Sequence, residues 1–243
     1  MNFRAIIFCI LQIGVAHIAT AQIVIERTDN LDIQDIKNKK LIVLMPEIDF
    51  LAGKTEVEEN YLKSSEFNNY LISSIGKAAK ENGFNAEVIT VNGLKQTDMS
   101  YFSDFIPLKQ NIFQANNLQN HPFNKSGFED NSGKKIVKNV FVEPPRILPE
   151  YSYLAEKYKT PYFAIMGWIN IDTKGLNRNV LNQSHFRYNS RYSVLYFIIV
   201  NVEKARIEYR EFKIIPLMFM KASAYTVLYD SYFYLNNLNY ENK

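Results

Sequence analysis

The sequence predicts an α+β fold in which helices pack on a mixed β-sheet, with a C-terminal hairpin followed by a largely apolar helix. Three observations predict this class. Apolar runs of strand length alternate with segments of helical periodicity in the N-terminal half. Two adjacent strand-like segments joined by a short turn occupy the C-terminal half. The last segment is apolar around most of a helical circumference.

A strand, helix, strand unit opens the fold. Residues 41–45 form a continuous apolar run closed by Pro46, which predicts a strand buried on both faces. A helical stripe follows and ends at Gly83. The apolar members of this stripe are Phe67, Leu71, Ile75, Ala78 and Ala79. Residues 86–91 resume strand character, as expected of a layered domain.

Residues 92–148 break this regularity. They are rich in Asn, Gln, Gly and Pro, and only 136–142 has the pattern of a strand. We therefore expect a long irregular insertion, either a surface segment or one that orders on a partner. Order returns at Pro149, which is suited to the first turn of a short helix ending near Lys159. Another strongly apolar strand is predicted over 162–171.

The segment after 191 predicts a hairpin. Residues 192–202 are almost continuously apolar, Glu203 and Lys204 supply the turn, and 205–214 alternate between apolar and charged residues. Alternation of this kind is typical of a strand with one buried and one solvated face. The first strand is thus expected to be central, and the second to have one face in water.

A largely apolar helix is predicted from Pro216 to about residue 235. Its polar residues form a narrow line through Ser223, Thr226 and Asp230. A helix of this kind must be buried on most sides, because its apolar surface is too large to expose on a monomer. Two alternatives follow: the helix is sandwiched within its own domain, or it forms a homo-oligomer by packing against a second copy.

Residues 1–21 have the pattern of a secretory signal peptide. Arg4 is the only charge, residues 5–18 are largely apolar, and residues 19–21 read Ala-Thr-Ala before Gln22. We expect residues 22–243 to form a single α+β domain that carries the insertion at about 92–148. After cleavage no membrane-spanning segment is expected, and the predicted location is periplasmic or secreted.

The composition offers little material for catalysis. The chain has three His, one Cys and nine Gly, and its formal net charge is +3. The single cysteine, Cys9, lies within the predicted signal peptide. We expect no catalytic residue, no metal and no cofactor, and the near-balanced charge excludes the dense basic patch that nucleic-acid binding requires.

The aromatic surplus indicates binding. The sequence holds 17 Phe and 16 Tyr. Trp168, Tyr188 and Tyr192, with Asp172 beside them, are predicted to line a groove for a glycan, a peptide or an envelope protein, since aromatic faces anchor ligands and interfaces. The alternative is that most of the aromatic residues belong to the core and its rim in an aromatic-rich fold. The same groove has further candidate members near the C-terminus, namely Tyr232, Tyr234 and Tyr240.

A secreted hydrolase acting on glycan or peptide is the alternative function. Glu47 and Asp49 come just after a predicted strand, and Asp172 follows another. Paired carboxylates at strand ends are the arrangement that many glycosidases use. We favour a non-enzymatic binding or assembly module, because acidic loops without a catalytic role are far more common.

The order of elements resembles a periplasmic α/β domain. This domain occurs in the curli-secretion channel lipoprotein, in the outer-membrane lipoprotein activators of penicillin-binding proteins, and at the amino terminus of the Tol-Pal propeller protein. The segments that carry the resemblance are 41–45, 66–83, 154–168 and 194–214. The resemblance implies an envelope binding or assembly protein. It transfers no site residue, and this chain lacks a lipid-attachment cysteine and a glycine in the hairpin turn.

Overall fold

A mixed seven-stranded sheet forms the centre of the protein. The computed structural model describes residues 22–51, 65–89, 99–116, 135–172, 191–215 and 221–238, so the predicted signal peptide lies outside the described residues. The strands are β1 (Gln22–Arg27), β2 (Lys40–Leu51), β3 (Asn85–Ile89), β4 (Lys135–Val140), β5 (Tyr162–Asp172), β6 (Arg191–Asn201) and β7 (Arg206–Ile215). Their order across the sheet is β3-β2-β5-β6-β7-β1-β4.

Both parallel and antiparallel pairs contribute to this sheet. β2 runs parallel to β3 and β5, and β1 runs parallel to β4. The pairs β5–β6, β6–β7 and β7–β1 are antiparallel. The predicted α+β class with a mixed sheet is confirmed.

Helices cover both faces of the sheet. They are α1 (Ile33–Asn38), α2 (Ser65–Glu81), α3 (Met99–Asn116), α4 (Tyr153–Tyr158) and α5 (Lys221–Asn236), with a 3₁₀ turn (Pro149–Ser152) before α4. One apolar core joins α1, α2 and α5 to the first face. A second core joins α3, the 3₁₀ turn and α4 to the opposite face.

The predicted helical stripe and its stop at Gly83 are confirmed in α2. All five predicted stripe residues are fully buried against the first face. Gly83 has a φ of 82°, the left-handed region that glycine adopts without a steric penalty. The Phe84 N–H donates to the Ala79 carbonyl at 2.9 Å and the Gly83 N–H donates to the Lys80 carbonyl at 3.0 Å. These two bonds form a Schellman motif, which ends the helix and leads directly into β3.

β2 continues past the residue that was predicted to close it. The strand includes Pro46 and extends to Leu51, and its register with β5 shifts between Leu44 and Glu47. Among the described residues, the pairing of β2 with β3 ends at Leu44, whereas its pairing with β5 continues to Leu51. Proline is tolerated in strands at such irregularities, where one side lacks a ladder partner.

The prediction of irregular structure over 92–148 is wrong for its first half. Residues 99–116 form the 18-residue helix α3, which contains Pro107. Phe105, Leu108 and Ile112 form a stripe at helical spacing and are buried against the second face. Burial of this stripe outweighs the loss of a backbone hydrogen bond at the proline. The predicted strand is present as β4, whereas residues 117–134 lie outside the described residues.

The β6–β7 hairpin is confirmed, but the prediction of a wet face on its second strand is wrong. The Lys204 N–H donates to the Asn201 Oδ1 atom at 3.0 Å, and Ala205 takes a φ of 49° as the chain reverses. β7 lies between β6 and β1 in the sheet, and both of its faces are buried. Its charged residues on the first face therefore lie beneath α5 instead of in water.

α5 packs within its own domain along one side. The Tyr232 ring lies 5.7 Å from the Phe84 ring and 5.4 Å from the Phe197 ring, between centroids, so the helix contacts both the end of α2 and the sheet. Residues 216–220, which were predicted to begin this helix, lie outside the described residues. Within the described part of the chain, no helix is long and apolar enough to cross a membrane.

Candidate functional site

The helix α5 presents two different surfaces. Its inner side, through Ala224, Leu228 and Leu235, is buried against the sheet. Its outer side carries Thr226 and Phe233, both of which are exposed. The contacts beneath the helix determine which of its side chains face outward.

A buried ion cluster, which we define as Glu211, Lys213 and Asp230, joins α5 to β7. Glu211 is fully buried and lies between Ile25 and Phe197 of the neighbouring strands. Its Oε2 atom accepts a hydrogen bond from the Tyr209 hydroxyl at 3.1 Å, and its Oε1 atom accepts one from the Ser231 hydroxyl at 3.0 Å. Buried carboxylates require such partners, because desolvation of an unpaired charge is costly.

Lys213 lies at the centre of this cluster. Its Nζ atom is 3.6 Å from Glu211 Oε1 and 3.8 Å from Asp230 Oδ2, and the lysine side chain is only 3% exposed. The same Nζ atom lies 5.2 Å from the centroid of the Tyr234 ring. Strand and helix thus share one cation, which specifies the rotation of α5 on the sheet.

The phenol of Tyr209 remains protonated in this environment. Burial raises the pKa of Tyr209 well above its ordinary value, and the adjacent Glu211 carboxylate adds to the effect. Tyr209 therefore acts as a hydrogen-bond donor to Glu211. The arrangement stabilises a fixed charge and does not generate a nucleophile.

The outer side of α5 carries an aromatic stripe, which we define as Tyr225, Tyr229 and Phe233. The three residues follow at intervals of four, so they form one ridge along the helix. The centroids of the first two rings are 6.2 Å apart, and those of the last two are 6.4 Å apart. The planes of the Tyr229 and Phe233 rings are within 19° of parallel, and Phe233 is 45% exposed.

α2 supports one end of the aromatic stripe. The Lys77 Nζ atom lies 4.6 Å from the centroid of the Tyr225 ring, and the Tyr225 hydroxyl donates to Glu81. The hydrogen bond to the Glu81 carboxylate raises the pKa of Tyr225 to about 12. This end of the aromatic stripe is therefore held in place by a cation and a carboxylate from a neighbouring helix.

Polar side chains border the aromatic stripe along its length. Thr226 is exposed, Asp230 is 38% exposed, and Asn236 and Asn237 are partly exposed. The Asn237 Nδ2 atom donates to the Phe233 carbonyl at 2.8 Å, which closes the last turn of the helix. The surface is thus a narrow aromatic ridge between hydrogen-bonding groups.

Of Trp168, Tyr188, Tyr192 and Asp172, the structure describes the side chain of Trp168 alone. Trp168 is fully buried in the first core, so its prediction as a groove residue is wrong. It lies on a central strand whose inner face is covered by helices, which the apolar run alone could not distinguish from a surface anchor. Tyr188 lies outside the described residues. Tyr192 and Asp172 are described only through their backbones, where they pair with Ile171 and Arg191 respectively.

Two of the aromatic residues predicted for the groove near the C-terminus are buried as well. Tyr232 is fully buried and Tyr234 is 8% exposed, and both belong to the first core. Burial raises the pKa of Tyr232 far above its ordinary value. Tyr240 lies outside the described residues. The aromatic residues on the outer side of α5 are instead the neighbours at 225, 229 and 233.

The carboxylates predicted for a hydrolase occupy strands and not loops. Glu47 and Asp49 lie within β2, opposite Gly167 and Ile169 of β5. Only their backbone positions are described. The acidic residues at 56–59 and the histidines at 121 and 185 lie outside the described residues.

Other carboxylates in the described residues have structural partners. Glu208 accepts from the Thr28 hydroxyl at 2.5 Å and pairs with Arg206 at 3.1 Å. Asp35 accepts from the Tyr162 hydroxyl at 2.5 Å, and this bond lowers the pKa of Asp35. Each of these carboxylates ties two separate segments together. Among the residues that the structure describes, no cluster of three or more potential metal ligands occurs.

Sequence reasoning missed the buried ion cluster. The alternation in β7 was interpreted as a solvated face, although only the position of α5 decides what covers that face. One signal was available: Ser231 falls on the same side of the helix as Leu228 and Leu235. A serine in the middle of an apolar helical face indicates a polar partner on the surface beneath it.

Comparison with known proteins gives only distant structural similarities. No family model and no curated protein matches the chain. The chain is similar to the PelC dodecamer from Paraburkholderia phytofirmans, with 7% identity and a TM-score of 0.38 over 89% of this chain and 97% of that chain. A single-residue variant of that dodecamer gives 6% identity and a TM-score of 0.37 over 89% and 98%. A neuraminyllactose-binding hemagglutinin homolog from Helicobacter pylori gives 6% identity and a TM-score of 0.27 over 82% and 85%. Values of this size establish neither a family nor a function.

Proposed function

We propose that the protein is an exported component of the bacterial cell envelope that binds a partner through the aromatic stripe of α5 and has no catalytic role. The observation that carries this proposal is the aromatic stripe itself. The three rings lie on one ridge of a helix that the buried ion cluster joins to β7, and Lys77 and Glu81 of α2 hold the first ring, Tyr225. Pre-organised aromatic side chains are the usual anchors of binding surfaces.

Export is supported by the N-terminal sequence. A single arginine, an apolar centre and an Ala-Thr-Ala ending at Ala21 are the features that signal peptidases recognise. The resemblance in element order to periplasmic α/β domains supports the same compartment. Mature protein isolated from cells is then expected to begin at Gln22, which N-terminal mass spectrometry tests directly.

A binding role is supported by how the carboxylates of three described residues are used. The carboxylates of Glu211, Glu208 and Asp35 each accept hydrogen bonds from hydroxyl groups of other segments. The pKa of each perturbed tyrosine is raised, so these phenols stay protonated and do not act as nucleophiles. Catalytic groups need the opposite adjustment, with a base or nucleophile available near neutral pH.

The hydrolase alternative retains one supporting observation. β2 and β5 are parallel neighbours, so Asp49 and Asp172 lie toward the same end of adjacent strands. This is where sites of α/β sheets commonly form. The alternative predicts release of reducing ends or free amines from isolated envelopes, and loss of that release in an Asp172→Asn variant. Absence of any release is what the binding proposal predicts.

Envelope binding by a matched pair of variants tests the proposal. Phe233→Ala removes an exposed ring from the aromatic stripe, and Ile106→Ala removes a side chain of similar exposure, 43%, from α3 on the opposite face. Co-sedimentation of the protein with isolated envelopes should fall for Phe233→Ala and stay at the wild-type level for Ile106→Ala. Equal sedimentation of both variants would overturn the assignment of the binding surface.

A further inference from the structure

We infer that the aromatic stripe binds a neutral glycan chain. This inference rests on the proposed function and names the ligand class for the same surface. Four features of the aromatic stripe support it: the spacing of its rings, the area they expose, the groups that border them and the local balance of charge.

The three rings of the aromatic stripe repeat at a nearly constant spacing. Tyr225, Tyr229 and Phe233 are spaced at nearly equal centroid distances of 6.2 and 6.4 Å, and the last two rings share nearly the same orientation. A ligand that contacts all three must present several flat apolar faces in a row. A chain of pyranose rings does so, because each ring has a face of C–H groups that stacks on an aromatic side chain.

The aromatic stripe exposes only a small area. A completely covered aromatic side chain buries about 150–250 Å². Tyr225 and Tyr229 are already half-buried, and Phe233 exposes 45% of its surface. The area that remains exposed on the three rings is well below the roughly 800 Å² per partner that a stable protein interface buries. The aromatic stripe is therefore too small to hold a second copy of this chain or another folded protein by itself.

Polar groups border the aromatic stripe. Thr226 is exposed, and Asn236 and Asp230 are partly exposed on its two sides. Hydroxyl, amide and carboxylate groups beside an aromatic ridge match the ring hydroxyls of a sugar whose apolar face lies on the ridge.

Cations do not predominate around the aromatic stripe. Lys77 is the one cation that contacts the aromatic stripe among the described residues, and it is balanced by Glu81 at 3.9 Å. On the other side, the buried ion cluster holds two carboxylates, Glu211 and Asp230, against the single cation of Lys213. A polyanion would be repelled here, because anionic polymers bind surfaces on which cations predominate. The expected glycan is therefore uncharged.

Titration with defined oligosaccharides tests this inference. The probes are β-1,4-linked hexamers of glucose and of N-acetylglucosamine, with heparin as a polyanionic comparison. The full chain is purified in the form that the cells produce and is labelled with ¹⁵N. At least one neutral hexamer should bind saturably and shift the amide resonances of α5, whereas heparin should leave α5 unshifted.

Variants define the outcome. Phe233→Ala should weaken binding of the neutral hexamer by about tenfold, whereas Phe233→Tyr should retain it because the ring is kept. Ile106→Ala should stay within about twofold of the wild type. Failure of both neutral hexamers to bind would overturn the inference, as would tighter binding of heparin at α5. If envelope binding still depends on Phe233 in that case, the ligand class is wrong and the proposed binding surface stands.

Discussion

At the scale of single residues, burial decides the role of each charge in β7. Glu211 and Lys213 occur in a strand that alternates between apolar and charged residues, a pattern typical of a solvated face. They are 0% and 3% exposed because α5 covers them. The sequence specifies which residues share a face of the strand, but the element that covers that face comes from residues further along the chain.

Loss of Lys213 and loss of Asp230 should differ in their effect on stability. Lys213→Met leaves the buried Glu211 carboxylate without its cation and should lower the free energy of unfolding by about 3 kcal/mol. Asp230→Asn removes a carboxylate that is 38% exposed and leaves the Glu211–Lys213 contact intact, so it should cost less than about 1 kcal/mol. Urea denaturation of both variants checks the order. An equal effect of the two substitutions would show that Lys213 is not bound mainly to Glu211.

At the scale of secondary-structure elements, local patterns predicted most of the fold. The stripe of α2, the stop at Gly83, the strand β5 and the β6–β7 hairpin all follow from periodicity and turn residues. α3 was missed because Pro107 and the polar residues around it mask the spacing of Phe105, Leu108 and Ile112. Tertiary burial stabilises that helix, and burial is not a local property of the sequence.

Gly76 lies inside α2 and Gly83 lies just after its end. Together they give a matched test of the helix and of the motif that ends it. Gly83→Ala should destabilise the protein by about 1 kcal/mol, because an alanine is strained at a φ of 82°. The added Cβ would also lie 3.3 Å from the Lys37 Nζ atom. Gly76→Ala should stabilise it by about 0.5–1 kcal/mol, since this glycine is inside the helix and a Cβ there meets nothing within 4 Å.

The measurement is the midpoint of thermal or urea unfolding of each glycine variant against the wild type. Opposite signs are expected for the two substitutions. A loss of stability at both positions would mean that Gly76 has a packing role that the structure does not include. A gain at both would contradict the Schellman motif at the end of α2.

At the scale of the whole molecule, the aromatic surplus serves the core as well as the surface. The sequence holds 16 Tyr, and six of those in the described residues have a raised pKa. These six are Tyr151, Tyr153, Tyr162, Tyr209, Tyr225 and Tyr232. Sequence analysis identified the surplus but could not divide it between the two roles, because the order of strands and the faces covered by helices emerge only in the assembled sheet.

Alkaline pH should therefore destabilise the fold. A phenol whose pKa is raised in the folded state stabilises the protein fully below the ordinary value of 10.0, and that contribution is lost as pH rises through the raised value. The raised value is about 12 for Tyr153 and Tyr225. In a spectrophotometric titration, these six tyrosines should ionise above their ordinary pKa, and the fully buried Tyr209 and Tyr232 should ionise only as the protein unfolds. Ionisation of all tyrosines in a single step near the ordinary pKa, with the fold intact, would contradict the buried hydroxyl contacts.

The central claim is that the outer side of α5 is the binding surface of the protein. Hydrogen–deuterium exchange with and without isolated envelope fragments measures this most directly. We expect peptides that cover Tyr225, Tyr229 and Phe233 to exchange more slowly when envelope is present, while peptides from α3 on the opposite face keep their rates. Slower exchange in α3 alone, or no change in α5 under conditions where the protein sediments with envelopes, would contradict the claim.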